Sequence, residues 1–140
     1  MVNSGTGPVT GPVSTPRQLA SLEGVKVLLI EDTWIIASAM KSMVELLGAV
    51  VIGPVASVAE AGKAAEVEAV DVALVDLNLK GEMAYDVIRR LKDRSVPVII
   101  VTGYEVPPEL MDDAAVVLKK PIRAEDLLAN LRRLAAEART

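Results

Sequence analysis

The feature that most constrains the fold is the regular alternation of short apolar runs with segments of helical periodicity. Five runs are almost wholly apolar, at residues 25–30, 50–52, 72–75, 96–101 and 116–118, and Lys26 is the one charged residue among them. Between them, apolar residues recur every three or four positions, which is typical of amphipathic helices. Strands without a polar face are typical of parallel sheets that helices cover on both sides. The sequence therefore predicts an α/β fold built from five βα units.

The predicted helices span residues 34–47, 57–68, 84–92 and 124–139, with a short fourth helix starting near Pro107-Pro108. Right-handed crossovers leave few ways to arrange five parallel strands between such helices. We expect a flavodoxin-like, doubly wound, five-stranded parallel sheet, (βα)5, with strand order 2-1-3-4-5.

The length of 140 residues suits one domain rather than two. Residues 1–24 are rich in Gly, Pro, Ser and Thr and repeat the string GPV, so we predict a flexible N-terminal extension. A short helical turn is expected at residues 17–22. The predicted domain then covers residues 25–140.

Composition excludes several classes of function. A net charge of −4 and an aromatic content of 2% argue against binding to nucleic acid. No apolar run approaches the roughly 18 residues of a membrane helix, and no signal peptide is visible, so we expect no membrane contact and a cytoplasmic location. The chain has no histidine and no cysteine, which excludes Ser-His and Cys-His catalysis and most zinc sites.

Ionisable and hydroxyl side chains follow four of the predicted strands where each strand ends. They are Glu31 and Asp32 after the first strand, Asp76 after the third, Thr102 after the fourth, and Lys119 and Lys120 after the fifth. The carboxyl ends of parallel strands meet at one edge of the sheet, where ligands bind in this class of fold. Three carboxylates at that edge repel one another unless cations compensate their charge. A lysine and Mg²⁺, which prefers oxygen ligands, would supply that compensation.

Each of these residues alone also has an ordinary structural interpretation. Acids at strand ends often cap helices, and most lysines lie on the surface. Only the joint occurrence of acids, hydroxyl and amine at one edge favours a functional site. Trp34 follows Asp32 by two residues, and we predict a partly exposed residue in the first turn of a helix. A contact with the metal site or with a partner is the alternative.

Four motifs resemble those of bacterial two-component response-regulator receiver domains. They are LLIED ending at Asp32, LVDLNLKG around Asp76, VIIVTGY around Thr102 and VLKKPI around Lys120. The resemblance covers residues 25–138. The Thr-Gly-Tyr string is similar to that of a subset of single-domain receivers.

The resemblance implies that Asp76 is a phosphoacceptor that takes a phosphoryl group from a histidine kinase or phosphotransfer protein. The implied metal ligands of Mg²⁺ are Asp32, Asp76, the backbone carbonyl of Asn78 and, through water, Glu31. Thr102 would hydrogen-bond the phosphoryl group, and Lys120 rather than Lys119 would pair with it, with a cis bond before Pro121. The chain would be a stand-alone signalling protein rather than an enzyme. It would be a monomer or weak homodimer that acts by protein contact or phosphorelay.

Two departures from the usual receiver pattern affect the expected output. Val117 occupies the position at which many receivers have an aromatic residue. Tyr104 is either an aromatic substitute for it or a surface residue. The short segment between Thr102 and Lys120 leaves room for only a short fourth helix, so the surface formed by helices four and five should be atypical.

Three other functions are compatible with parts of the pattern. A receiver-like interaction module that never carries phosphate would explain the missing aromatic. A haloacid-dehalogenase-like phosphatase also forms an aspartyl phosphate, but it has Asp-x-Asp on its first strand and usually a cap. A flavin-binding flavodoxin relative is disfavoured because the first loop, EDTWI, is acidic.

Overall fold

The computed structural model describes residues 22–67 and 69–138. The elements within these ranges are β1 (Lys26–Ile30), α1 (Trp34–Leu46), β2 (Val50–Val55), α2 (Val58–Val67), β3 (Val72–Asp76), β4 (Asn78–Leu79), β5 (Glu82–Met83), α3 (Tyr85–Asp93), β6 (Val98–Thr102), α4 (Pro108–Met111), β7 (Val116–Lys119) and α5 (Ala124–Ala138). The predicted βα alternation is confirmed, and α4 is a single short turn of helix as expected. The hairpin formed by β4 and β5 is an addition that the sequence analysis did not predict.

Five strands form one parallel sheet in the order β2-β1-β3-β6-β7. Counted without the hairpin, this is the predicted order 2-1-3-4-5. Every residue of β3 and of β6 is buried. The continuous apolar character of these strands therefore has the expected cause, which is that helices cover both faces of the sheet.

Two apolar cores lie on the two faces of the sheet. On one face, Leu29 and Leu74 pack with residues of α1 and α5 such as Leu131. On the other face, Leu28 packs with residues of α2 and α3 such as Ile88. Adjacent residues of a strand point to opposite faces, so a strand covered on both faces is apolar at successive positions between its ends. The two cores cover both faces of the sheet, and polar side chains lie at its carboxyl edge.

Strand β2 is longer than predicted because it continues through Gly53 and Pro54 to Val55. Gly53 has φ of +108°, and a Cβ atom there would lie 2.7 Å from the carbonyl oxygen of Leu29. Only glycine permits this approach, which accompanies a shift in the β1–β2 register. Beyond the shift, the carbonyl of Val55 accepts a hydrogen bond from the Glu31 N–H at 3.0 Å. The extension of β2 thus helps to hold the end of β1.

The packed domain begins before the predicted boundary at residue 25. Leu22 is 0% exposed and belongs to the core that α1 and α5 cover. Its N–H donates to the carbonyl of Leu47, and the Val25 N–H donates to the carbonyl of Leu22. Burial of this leucine offsets part of the entropy cost of ordering the short segment that carries it. The rest of the predicted extension, and all but the last residue of the expected turn at 17–22, lie outside the described residues.

Within the described ranges, no helix is both long enough and apolar enough to span a membrane.

Leu22→Ala should lower the free energy of unfolding by about 2–5 kcal/mol, because it removes a fully buried side chain. The matched control is Leu46→Ala in α1, where the leucine is 83% exposed. That change should stay within about 0.5 kcal/mol of the parent protein. Urea unfolding followed by circular dichroism measures both. Equal losses in the two variants would contradict the inclusion of Leu22 in the core.

Candidate functional site

Three carboxylates meet at the carboxyl edge of the sheet. Glu31 and Asp32 follow β1, and Asp76 ends the neighbouring strand β3. One carboxylate oxygen from each of the three lies within 4.8 Å of the others. Glu31 is 2% exposed and Asp76 is 7% exposed, whereas Asp32 is partly exposed. The in-register pairing of Ile30 with Val75 brings the ends of the two strands to the same level.

Glu31 is the least satisfied member of this cluster. Its Oε2 accepts a hydrogen bond from the Thr33 N–H at 3.0 Å. Its Oε1 is buried and has no hydrogen-bond partner among the described residues. Burial raises the pKa of Glu31, and the negative charge of Asp76 raises it further, against the opposing effects of the Thr33 N–H and Lys120. A buried carboxylate oxygen that accepts no hydrogen bond is costly, so this atom is one that a bound cation or its water would satisfy.

Lys120 supplies the positive charge inside the cluster. Its Nζ lies 3.3 Å from Asp76 Oδ2 and 3.5 Å from Glu31 Oε1, and the side chain is 27% exposed. Burial alone would lower the pKa of Lys120, but the charges of Glu31 and Asp76 more than offset this and raise the pKa above its ordinary value. The side chain therefore stays an ammonium ion at neutral pH.

The other predicted lysine lies elsewhere. Lys119 is exposed and forms an ion pair with Glu105 at 2.6 Å, which lowers the pKa of Glu105 through a hydrogen bond. The structure thus brings Lys120, and not Lys119, to the carboxylates. The peptide bond between Lys120 and Pro121 is cis, as predicted.

Thr102 ends β6 at the same edge and is buried. Its Oγ1 accepts a hydrogen bond from the Tyr104 N–H at 2.9 Å, which leaves the hydroxyl proton available for donation to another group. The Lys120 N–H donates to the carbonyl of Thr102 at 2.9 Å. This bond joins the end of β6 to the loop that follows β7. The side chain of Tyr104 is exposed in this structure, which fits the surface interpretation of that residue.

Asn78 follows Asp76 closely and begins the β4–β5 hairpin. Its N–H donates to Asp76 Oδ1 at 3.2 Å, so the first residue of the hairpin lies beside the acids. This hairpin was not predicted from the sequence, although Gly81 is a residue that tight turns favour at positions of positive φ. Trp34 is 76% exposed in the first turn of α1, which fits the structural interpretation of that residue better than a contact at the metal site.

A fold of this topology with acids, a hydroxyl and a lysine at one edge defines the class of α/β signalling domains that accept phosphoryl groups. A sequence profile described as the response regulator receiver domain matches residues 27–132. The chain belongs to the response regulator receiver family. Its members are phosphoacceptor signalling modules that bind Mg²⁺ at an acidic pocket. Whether the chain falls in the Thr-Gly-Tyr subset stays a prediction.

Solved structures agree with this membership. A CheY-like receiver domain protein from Methanospirillum hungatei is 23% identical, with a TM-score of 0.74, and the match covers 84% of this chain and 98% of that one. The receiver domain of a sensor histidine kinase from Pseudomonas aeruginosa, with magnesium in its active site cleft, is 26% identical at TM-score 0.71 and coverages of 81% and 98%. SdrG from Sphingomonas melonis is 30% identical at TM-score 0.69, with coverages of 79% and 96%. A search of curated protein sequences found no match.

Lys120→Met should lower the free energy of unfolding in chelator by about 1–3 kcal/mol, because it leaves buried carboxylates without their cation. Added Mg²⁺ should restore part of this loss by replacing the missing positive charge. Lys119→Met is the matched control and should change little, since that lysine forms an exposed pair. Urea unfolding with and without Mg²⁺ measures these effects. A larger loss for Lys119→Met than for Lys120→Met would contradict the assignment of the charge.

Proposed function

We propose that this receiver accepts a phosphoryl group on Asp76 from a histidine kinase or phosphotransfer protein. The observation that carries the proposal is the position of Lys120 Nζ between Asp76 Oδ2 and Glu31 Oε1, within a cluster of three acids. A carboxylate can attack phosphorus when a positive charge reduces its repulsion from the negative phosphoryl oxygens. Lys120 supplies that charge from the protein itself.

The transfer requires one bond to form and one to break. An oxygen of Asp76 attacks the phosphorus of the donor phosphohistidine, and the P–N bond breaks with its electron pair left on the imidazole nitrogen. Lys120 then pairs with the phosphoryl oxygens of the acyl phosphate, and the Thr102 hydroxyl donates a hydrogen bond to one of them. Water attack on the phosphorus later returns Asp76 as a carboxylate and releases inorganic phosphate, so the signal can decay.

The residues present fit a magnesium ion. Glu31, Asp32 and Asp76 offer carboxylate oxygens, which Mg²⁺ prefers. Glu31 Oε1 is buried and accepts no hydrogen bond from the described residues, although Lys120 Nζ lies 3.5 Å away. Asp32 and Asp76 would hold the ion directly, the Asn78 carbonyl would complete the protein ligands, and Glu31 would act through water. When bound, the ion would neutralise the charge of the acids and of the transferred phosphoryl group.

The output of the proposed receiver is contact with another protein or further transfer of the phosphoryl group. We propose a cytoplasmic monomer or weak homodimer that acts as a signalling protein and not as an enzyme; its stand-alone status stays a prediction. Val117, which is partly buried where an aromatic would be usual, is the observation that favours a phosphate-independent module instead. The complete set of acids, hydroxyl and lysine favours phosphate transfer. The receiver fold and the absence of Asp-x-Asp on β1 disfavour a phosphatase.

Incubation with phosphoramidate and Mg²⁺ should add one phosphoryl group to the protein, and Asp76→Asn should abolish the adduct. Intact-protein mass spectrometry with and without chelator measures it. Asp93→Asn, at an exposed acid that ends α3, is the matched control and should be labelled as the parent is. Full labelling of Asp76→Asn would contradict the assignment of the acceptor. An unlabelled parent protein that also fails with a panel of histidine kinases would favour the phosphate-independent module.

Mg²⁺ should raise the melting temperature of the parent protein, because an ion that binds only the folded state adds about 2.7 kcal/mol at 100 times its dissociation constant. Asp32→Asn should abolish most of this shift, since it removes a carboxylate from the cluster. The same variant in chelator should be at least as stable as the parent, because it also removes repulsion from Asp76 and Glu31. Thermal unfolding at several Mg²⁺ concentrations is the measurement. An undiminished shift in Asp32→Asn would exclude that residue as a ligand.

A further inference from the structure

The β4–β5 hairpin follows the proposed phosphoacceptor almost directly. Asn78 pairs with Met83 and Leu79 pairs with Glu82, so Lys80 and Gly81 form a two-residue turn. Both turn residues have positive φ, at 54° for Lys80 and 87° for Gly81. Two-residue turns of this kind match the twist of the strands they join and fix their register. The backbone after Asp76 is therefore held in a regular hairpin rather than in an irregular loop.

The hydrogen bonds of the hairpin determine which way the Asn78 peptide groups face. The Ala84 N–H donates to the carbonyl of Leu77 at 2.9 Å, so Leu77 and Ala84 form a hydrogen-bonded pair. Hydrogen-bonded and non-hydrogen-bonded pairs alternate along an antiparallel ladder. Asn78 and Met83 are therefore a non-hydrogen-bonded pair, and the N–H and carbonyl of Asn78 both face away from β5. Its N–H donates to Asp76 Oδ1, so its carbonyl faces the same side, toward the acids.

The side chain of Asn78 ties this arrangement to the turn. Leu77 and Leu79 are buried in the core, so the side chain between them points to the opposite face. There Asn78 Oδ1 accepts a hydrogen bond from the Gly81 N–H at 2.7 Å. The amide oxygen thus bridges the first residue of β4 and the last residue of the turn. Rotation of the Asn78 backbone would break this bond.

The geometry points to Asn78 as a positioning residue: its side-chain bond to the Gly81 N–H holds its backbone carbonyl toward the cation position among Glu31, Asp32 and Asp76. This inference rests on the proposed function, because it assumes a cation among the three acids. The side chain itself touches neither the ion nor the phosphoryl group. It acts through the backbone to which it belongs.

Removal of the amide should loosen the carbonyl without disturbing the core. Asn78→Ala should raise the dissociation constant for Mg²⁺ about tenfold, as is usual when a group that orients a metal ligand is lost. The same variant should expose the Gly81 N–H to rapid hydrogen exchange. Asn78→Asp keeps an oxygen acceptor at the same place, so it should retain the protection of Gly81 and bind Mg²⁺ at least as tightly as the parent. Met83→Ala, directly across the hairpin from Asn78, is the neutral control and should change neither quantity.

A Mg²⁺ titration of ¹⁵N-labelled protein followed by two-dimensional NMR measures the dissociation constant. Hydrogen exchange followed on the same spectra measures the protection of the Gly81 amide. Thermal unfolding in chelator accompanies it. Asn78→Ala that melts lower but binds Mg²⁺ within twofold of the parent would show a merely structural role and overturn the inference. Loss of Mg²⁺ affinity with the Gly81 amide still protected would overturn it as well. A parent protein that binds no Mg²⁺ would overturn both this inference and the metal part of the proposed function.

Discussion

The ion pairs of Lys120 with Asp76 and Glu31 are the interactions on which the site depends. Two neighbouring parallel strands bring buried carboxylates together, and their mutual repulsion and loss of hydration are both unfavourable. The compensating ammonium comes from beyond the end of β7, two strands away from β3 in the sheet. Its long side chain reaches across the end of β6, where Thr102 lies. Lys120 therefore links the ends of β1, β3 and β6 through Glu31, Asp76 and Thr102. Within the described part of the chain, Glu31 Oε1 still accepts no hydrogen bond.

Backbone hydrogen bonds between neighbouring strands fix the positions of these strand ends relative to one another. The Val55 carbonyl holds the Glu31 N–H, and the Thr102 carbonyl holds the Lys120 N–H. Each bond joins a site residue to a neighbouring strand through the backbone, so the positions of these residues do not depend on side-chain packing alone. The hairpin after Asp76 adds a third such constraint, because its hydrogen-bond alternation orients the Asn78 peptide. Backbone hydrogen bonds thus hold Glu31, Lys120 and Asn78 in place around the carboxylates.

The surface beside the site differs from the usual receiver pattern. Helix α4 is one short turn, Val117 is partly buried, and Tyr104 is exposed near both. The Tyr104 N–H is bonded to the Thr102 hydroxyl, so the loop after β6 is linked directly to the site. A second apolar surface, with Ile35 exposed at its rim, lies between α1 and α5 next to Lys120. The two surfaces lie on opposite faces of the sheet, because Val117 packs against one core and the residues between α1 and α5 pack against the other.

The sequence alone determined the fold class, the strand order and the residues that meet at the carboxyl edge. It could do so because continuous apolar strands require a covered parallel sheet, and parallel strands end at one edge. The choice of Lys120 over Lys119 followed from the family motif, and only the tertiary structure gives its physical reason. Lys119, at the end of β7, pairs with Glu105, whereas Lys120, just beyond the strand, reaches the buried carboxylates. The tertiary structure also decided the burial of Leu22, the extension of β2 through Gly53 and the β4–β5 hairpin. These features depend on contacts between distant segments, or on backbone φ values, that local periodicity does not encode.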